Sequence, residues 1–343
     1  MLRGGGTAGG IITHTGGADP LYAVRSNGGA RGEPHTPLHV AVMNGHAAVV
    51  EHMLLHGVDT SLTQGLYQWT PLFHAVWGGN VAMVQLLLAH GSDVGVHDKA
   101  GLTVLHLAAK ENHTDLIPLL LDAGAVVDAP SVDQQTPLYH ALLSGHDPAA
   151  MALLESGAAA DVADAHGATA LSKAVEAASV EVVRALLARG ARVDAVGPMG
   201  QTALHVAVMH GRVDACHVLL EAGAAVNAVD AQAHAALHFA VFADHVPLTT
   251  LLLQRGANHA LVYGYYDWTP LHKACWLGLA EMVQVRACVC VSVCVYVYVR
   301  ECGCQTRESQ GEMEGDEWHG CDATDAPSMR GPAMQLLHLF FRL

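Results

Sequence analysis

Charge and aromatic side chains are both scarce in this 343-residue sequence, at 14% and 5% of the residues. Little charge together with 51% hydrophobic residues, mostly Ala, Val and Leu, excludes a wholly disordered or collagen-like chain. Basic residues are the scarcer sign: 17 Lys plus Arg stand against 32 Asp plus Glu, a formal charge of -15. That balance repels phosphate and argues against nucleic acid or an anionic membrane surface as a partner. The longest apolar run, Ala287 to Val299, is broken by Ser292, and it falls short of the roughly 20 residues that cross a bilayer. Gly4, Gly5, Gly6, Gly9 and Gly10 stand where a secretory leader needs apolar residues. Cysteine is sparse in the main body, with only Cys216 and Cys275 before residue 285 and six more between Cys288 and Cys321, so no disulfide framework is present there. These absences predict a soluble intracellular chain, cytoplasmic in the first instance with the nucleus left open. On that reading the sequon Asn112-His113-Thr114 is chance. No GxSxG elbow, P-loop or GxGxxG is found, so the chain reads as no enzyme, with no catalytic residue and no cofactor.

What is abundant is self-similarity. Thr36, Thr70, Thr103, Thr136, Thr169 and Thr202, then Ala235 and Thr269, each open a variant of TPLHxA, at spacings of 34, 33, 33, 33, 33, 33 and 34. A Gly after a Leu-rich stretch follows each of the first seven openings by 21 residues, from Gly57 to Gly256. Fixed length here and variable length elsewhere put both added residues in a loop. Within the unit, Thr supplies a hydroxyl N-cap and Pro the preset φ of a first helical turn. Leu38 and Ala41 and their counterparts are the core knob and the close-approach residue. Gly45, Gly79, Gly145, Gly211 and Gly278, with Asn112, end the first helix in the left-handed region. Ala178 and Asp244 are the weak spots at that position. A second helix follows, with Leu54, Leu88, Leu121, Leu154, Leu187, Leu220 and Leu253 expected at one buried position.

This pattern resembles the ankyrin repeat: spacing, TPLH box, GH turn, LLL run and GA(D) element recur in register over residues 36–284, about seven and a half units. The resemblance implies an all-α solenoid of stacked helix-turn-helix units with β-hairpin-like loops, whose inner helices and loop tips bind proteins. Residues 1–35 then read as a flexible Gly-rich segment and 285–343 as a non-repeat tail. Where the fourth box position departs from His, at Phe73, Tyr139 and Ser172, the units are expected to be locally less regular.

Twenty-four histidines invite a metal site. Those of the box, His39, His106, His205, His238 and His272, are expected to bond the local Thr and loop backbone, and those of the turn, such as His113, to be structural. His52 and His56 share a helix face, but Met53 stands where a zincin needs Glu. No metal is assigned. Asp98, Asp128, Asp133, Asp164, Asp194 and Asp230 recur with the repeat and read as turn formers accepting backbone bonds.

The candidate binding surface is the end of each first helix: Met43, Trp77, Lys110, Leu143, Glu176, Met209, Phe242 and Trp276. In the ankyrin pattern this position faces the concave groove, and six of the eight are large and apolar. They form either a partner site or packing against neighbouring loops. The lengthened loops carry aromatic tips, Tyr67 and Trp69 in unit two and Tyr265, Tyr266 and Trp268 in unit eight. These are interface anchors or the trace of a duplicated unit. Residues 36–284 hold 9 basic and 22 acidic side chains, so the expected partner is a protein, basic or with an apolar anchor, bound by a monomeric scaffold. The alternative is the recognition part of a larger effector, such as a ubiquitin-ligase adaptor, whose effector domain is missing here.

After Gln284 the Leu run should resume. Instead, residues 285–299 read VRACVCVSVCVYVYV. Almost strict alternation with Val suits a strand, a cysteine-rich metal site, or a GT-rich microsatellite read through from an intron; the last is preferred because GTG TGT and GTG TAT codons give Val-Cys and Val-Tyr, and the metal site is disfavoured because CxC pairs separated by Val lack turn residues.

Overall fold

Eight box openings become eight helix starts, because each opening residue, from Thr36 to Thr269, holds an extended backbone and hands a helical φ to the next. A computed structural model describes residues 36–263 and 268–279. In chain order its α-helices are α1 (Pro37–Met43), α2 (Ala47–Leu55), α3 (Pro71–Trp77), α4 (Val81–Ala89), α5 (Val104–Lys110), α6 (Leu116–Asp122), α7 (Pro137–Leu143), α8 (Asp147–Glu155), α9 (Ala170–Glu176), α10 (Val180–Ala188), α11 (Ala203–Met209), α12 (Val213–Glu221), α13 (Ala236–Phe242), α14 (Val246–Gln254) and α15 (Pro270–Leu277). Odd-numbered helices stack in one layer and even-numbered ones in another: α1 to α14 pair within their units, each odd-numbered helix touches its counterpart in the next unit, and so do the even-numbered ones from α2 to α4 and from α6 to α14. Among the described residues none is a strand, but isolated antiparallel bridges such as Gln64 to Trp69 and Ala163 to Thr169 close the loops. Tips are laddered: Val132 N–H donates to Ala100 O at 3.1 Å and Ala165 N–H to Asp133 O at 2.9 Å. Gly101 is required there, since a Cβ at its φ of +74° would stand 2.8 Å from the Val132 nitrogen.

One hydrophobic cluster runs from Leu38 to Ala257. The Leu and Ala rows of the first helix are buried in every unit, from Leu38 and Ala41 to Leu271 and Ala274. The LLL run needs a correction of phase. The fully buried residues are Leu87, Leu120, Leu153, Leu186, Leu219 and Leu252, one position earlier than expected. In the expected row Leu54 and Leu154 are buried, whereas Leu88, Leu121, Leu187, Leu220 and Leu253 are half-buried against the same cluster. Unit eight docks through α15 on α13, where Ala274 and Val241 form a separate small cluster with Val246 and Leu279.

Helix α6 is shorter than its counterparts. Pro118 has no N–H to give the carbonyl of Thr114, so the turn that opens the other second helices is lost and the helix begins at Leu116.

The box histidines pin one unit to the next. Thr103 N–H donates to His106 Nδ1 at 3.0 Å, which leaves the proton on Nε2, and Nε2–H donates to Gln135 O at 3.0 Å. His39, His205 and His238 reach Trp69 O, His234 O and Leu261 O in the same way. The expected irregularity at Phe73, Tyr139 and Ser172 is not found, for α3, α7 and α9 have the same seven residues as most other first helices. Tyr139 keeps the inter-unit tie by donating its hydroxyl to Asp164 Oδ2 at 2.8 Å, and Ser172 bonds Thr169 O at 2.7 Å. Only Thr70, beside Phe73, loses its partner: its hydroxyl is buried without a hydrogen bond.

Asp98, Asp164 and Asp230 accept main-chain N–H bonds across their own loops, while Asp128 and Asp194 reach into the next unit, to the N–H of Ala159 and Ala225. Asp133 joins the tip ladder by its carbonyl, so the carboxylate role given to it is corrected.

Ala178 and Asp244 do hold the left-handed backbone, at φ 64° and 50°. A side chain there is strained by about 1–2 kcal/mol. Ala178→Gly is therefore expected to stabilise the protein by about 0.5–1 kcal/mol after the unfolded chain's greater freedom is counted, read as a raised urea midpoint. An unchanged or lowered midpoint would refute it.

Candidate concave interface

The end of each first helix points away from the second-helix layer, since Leu and Ala of the box take the buried side and the seventh residue after the opening falls on the other. Met43, Leu143, Met209 and Trp276 are exposed there, at 47, 55, 45 and 72%. Trp77, Lys110 and Phe242 are half-buried and Glu176 is exposed. Phe242 is held by rings of Tyr263 at 5.2 Å, His234 at 5.7 Å and Phe239 at 6.1 Å, and Trp77 by Trp69 at 6.2 Å. For these two, packing against the neighbouring loop accounts for the side chain. His113 Nε2 hydrogen-bonds Trp77 O at 3.2 Å, tying the helix end to the next unit's turn.

Trp69 is not an exposed tip. It is 5% exposed, lies parallel to Phe73 with ring centroids 5.9 Å apart, and donates its indole N–H to Asp98 Oδ2 at 3.4 Å. It is framework, because the following unit supplies the acceptor and the rings of Tyr67, Phe73, His74 and Trp77 in its own unit lie around it. Tyr67, 5.8 Å from Trp69, is half-buried. In unit eight Trp268 is half-buried and 5.5 Å from Trp276, repeating the arrangement of unit two. Tyr265 and Tyr266, like the tail from residue 280, lie outside the described residues.

A second row on this face was missed in the sequence. The residue four after each opening, three before the helix-end position, shares its face at helical spacing. It places Lys173 beside Glu176, 2.8 Å from its Oε2, and sets Lys273 Nζ 5.6 Å from the Phe242 ring centroid and 5.8 Å from that of Trp268. It also places His140, which burial, aided by the Lys110 charge, holds at a pKa of about 4. Between units four and five the surface dips into a shallow cavity of about 270 Å³, lined by Leu142, Leu143, Ala177, Lys173 and Glu176 among others. Arg212 donates Nη2–H to Glu176 O at 3.1 Å at its margin. The loop tips add exposed Leu66, Val132 and Met199. Spacing alone could have found Lys173 and Lys273; the tips depend on the path of the loop.

Among the described residues no group of three or more His, Cys, Asp or Glu could hold a metal ion, and no helix is long and apolar enough to cross a membrane. Burial pushes the Cys216 thiol up to about 12, far from a reactive thiolate.

The family model for ankyrin repeats matches in three copies, at residues 18–98, 79–164 and 152–230. Among solved structures, the crystal structure of the ankyrin repeat domain of Bcl-3, described as a unique member of the IkappaB protein family, is similar with a TM-score of 0.54 and 31% identity, over 59% of this chain and 92% of that one. No curated protein matches the chain. With the box, the paired helices, the hairpin-like loops and the stacked layers all in place over the described part of the matched residues, the chain belongs to the ankyrin-repeat family.

Proposed function

We propose that this protein is a non-enzymatic, monomeric, intracellular scaffold that binds a protein partner along the inner-helix face and loop tips of its solenoid. Ankyrin repeats are a general protein-interaction module, and the family membership supplies that coarser statement. The observation that carries the finer one is the recurrence of large exposed apolar side chains, Met43, Leu143, Met209 and Trp276, at one equivalent position of the repeat. Four such residues on one face leave apolar area in water, and burying it against a partner is favourable at about 25 cal/mol per Å².

The test is a photo-crosslinking residue placed at Leu143 or Met209, with controls at Glu155 and Glu221 on second helices. Adducts to other proteins in cells are expected from the first pair, several-fold above the controls. Equal yields from both pairs would remove the inner face as the binding surface.

A further inference from the structure

Net charge suggested a basic partner, but the charge is not spread evenly over the two layers. The second helices carry seven carboxylates, from Glu51 in α2 to Glu221 in α12, against Arg184. First helices carry Lys110, Lys173 and Lys273 against Glu176 alone. Many of the remaining acids are in loops, where Asp98, Asp164 and Asp230 are spent on main-chain N–H groups. The solenoid is thus polarised, with an acidic outer layer and a lysine-bearing, apolar inner face.

Resting on the reading of that face as the binding surface, we infer that its partner is an acidic amphipathic segment: one or more large apolar side chains flanked by carboxylates. Each part has a receiving site. An apolar anchor enters the dip beside Leu142, Leu143 and Ala177. Carboxylates on either side meet Lys110 from unit three, or Lys173 and Arg212 from units five and six. The inner face's one first-helix carboxylate, Glu176, is already neutralised by Lys173 at 2.8 Å, and Glu111, in the turn after Lys110, is the nearby acid that an incoming segment must clear. Lys273 provides a third cation, resting on Phe242 and Trp268, so a carboxylate docking there is met by a charge already seated on apolar surface. Along the first helices a basic segment would find Glu176 already paired with Lys173, and beyond that pair the ammonium groups of Lys110 and Lys273, and like charges brought together at an interface select against the wrong partner.

The test uses a phage-displayed random peptide library selected on the full chain, followed by affinity measurements on enriched peptides. Enriched peptides are expected to be net negative with a Leu, Phe, Met or Trp. Their binding should weaken about tenfold in Lys110→Glu/Lys173→Glu/Lys273→Glu and about tenfold in Leu143→Asp, and should fall as salt is raised. Enriched peptides that are net positive yet weakened by Leu143→Asp would overturn the acidic partner and leave the binding face standing. Peptides indifferent to both variants, or no enrichment at all, would remove both.

Discussion

Leu120→Ala is expected to lower stability by about 3 kcal/mol or more, whereas Leu121→Ala, one residue on, costs about 1 kcal/mol. Leu120 is fully buried in the middle of the cluster, with units on both sides, and removing three carbons there leaves a void that close-packed neighbours fill only in part. Leu121 is half-buried at the margin of the same cluster, so truncation lets water in instead of opening a cavity. The pair therefore reads the phase of α6 directly. Because stability in a repeat array is a sum of local and neighbour terms, the loss at Leu120 also uncouples the units on either side, and the unfolding curve should broaden as well as shift. Urea unfolding followed by circular dichroism measures both. Equal costs at the two positions, or a larger one at Leu121, would show that the helix is rotated from the position described.

Rows fixed by backbone conformation were legible: Thr at the cap, Pro after it, Gly in the left-handed turn, and even the strained Ala178 and Asp244, because each choice answers a local φ and ψ. The Leu run was misread by one place because three consecutive leucines look alike on the page; which one is innermost depends on how the even-numbered helices lie on the odd-numbered ones. Trp69 was misread for a different reason. Its acceptor, Asp98, lies 29 residues away in the following unit, and a loop residue's burial is decided by what stacks upon it. Tyr139 likewise replaces the box histidine because Asp164, 25 residues on, accepts its hydroxyl. The helix-end face was visible as a list of apolar residues with Lys110 among them, but Lys173 and Lys273 stood in the neighbouring row and were lost in a net charge set by the loops and the second helices.

The pH dependence of stability carries the other large expectation: the protein should lose stability between about pH 6.5 and pH 4. His106 and His140 both have pKa values near 4 in the fold. Burial is the leading cause for each. The His106 ring lies 5.4 Å from that of His140; beyond burial, the Gln135 carbonyl and Asp98 favour its imidazolium, while His140 and His97 disfavour it. His140 faces Lys110, and its Nε2 is buried without a hydrogen bond among the described residues. His205 is shifted downwards as well. An unfolded chain takes up these protons near pH 6.5, whereas the native state refuses them until about 4, so unfolding gains protons throughout that window and is favoured as pH falls. The stability is fully present above pH 6.5 and is lost by the time pH passes the native values, about 3 kcal/mol for each of His106 and His140. Geometry gives the same sign. Nδ1 of His106 accepts the Thr103 N–H, and a proton placed on it breaks that bond at the helix cap. Asp164, held below the usual carboxylate range by the Tyr139 hydroxyl and two N–H groups although burial opposes this, loses its contribution only at lower pH and so does not mask the effect. Relief of self-repulsion on approach to the isoelectric point near 5.8 acts the other way, but it is common to all variants. Urea midpoints measured from pH 7.5 to 4.5 should fall steeply in the native protein and less steeply in His140→Leu. Parallel slopes for the two proteins would show that His140 is not held neutral by the fold.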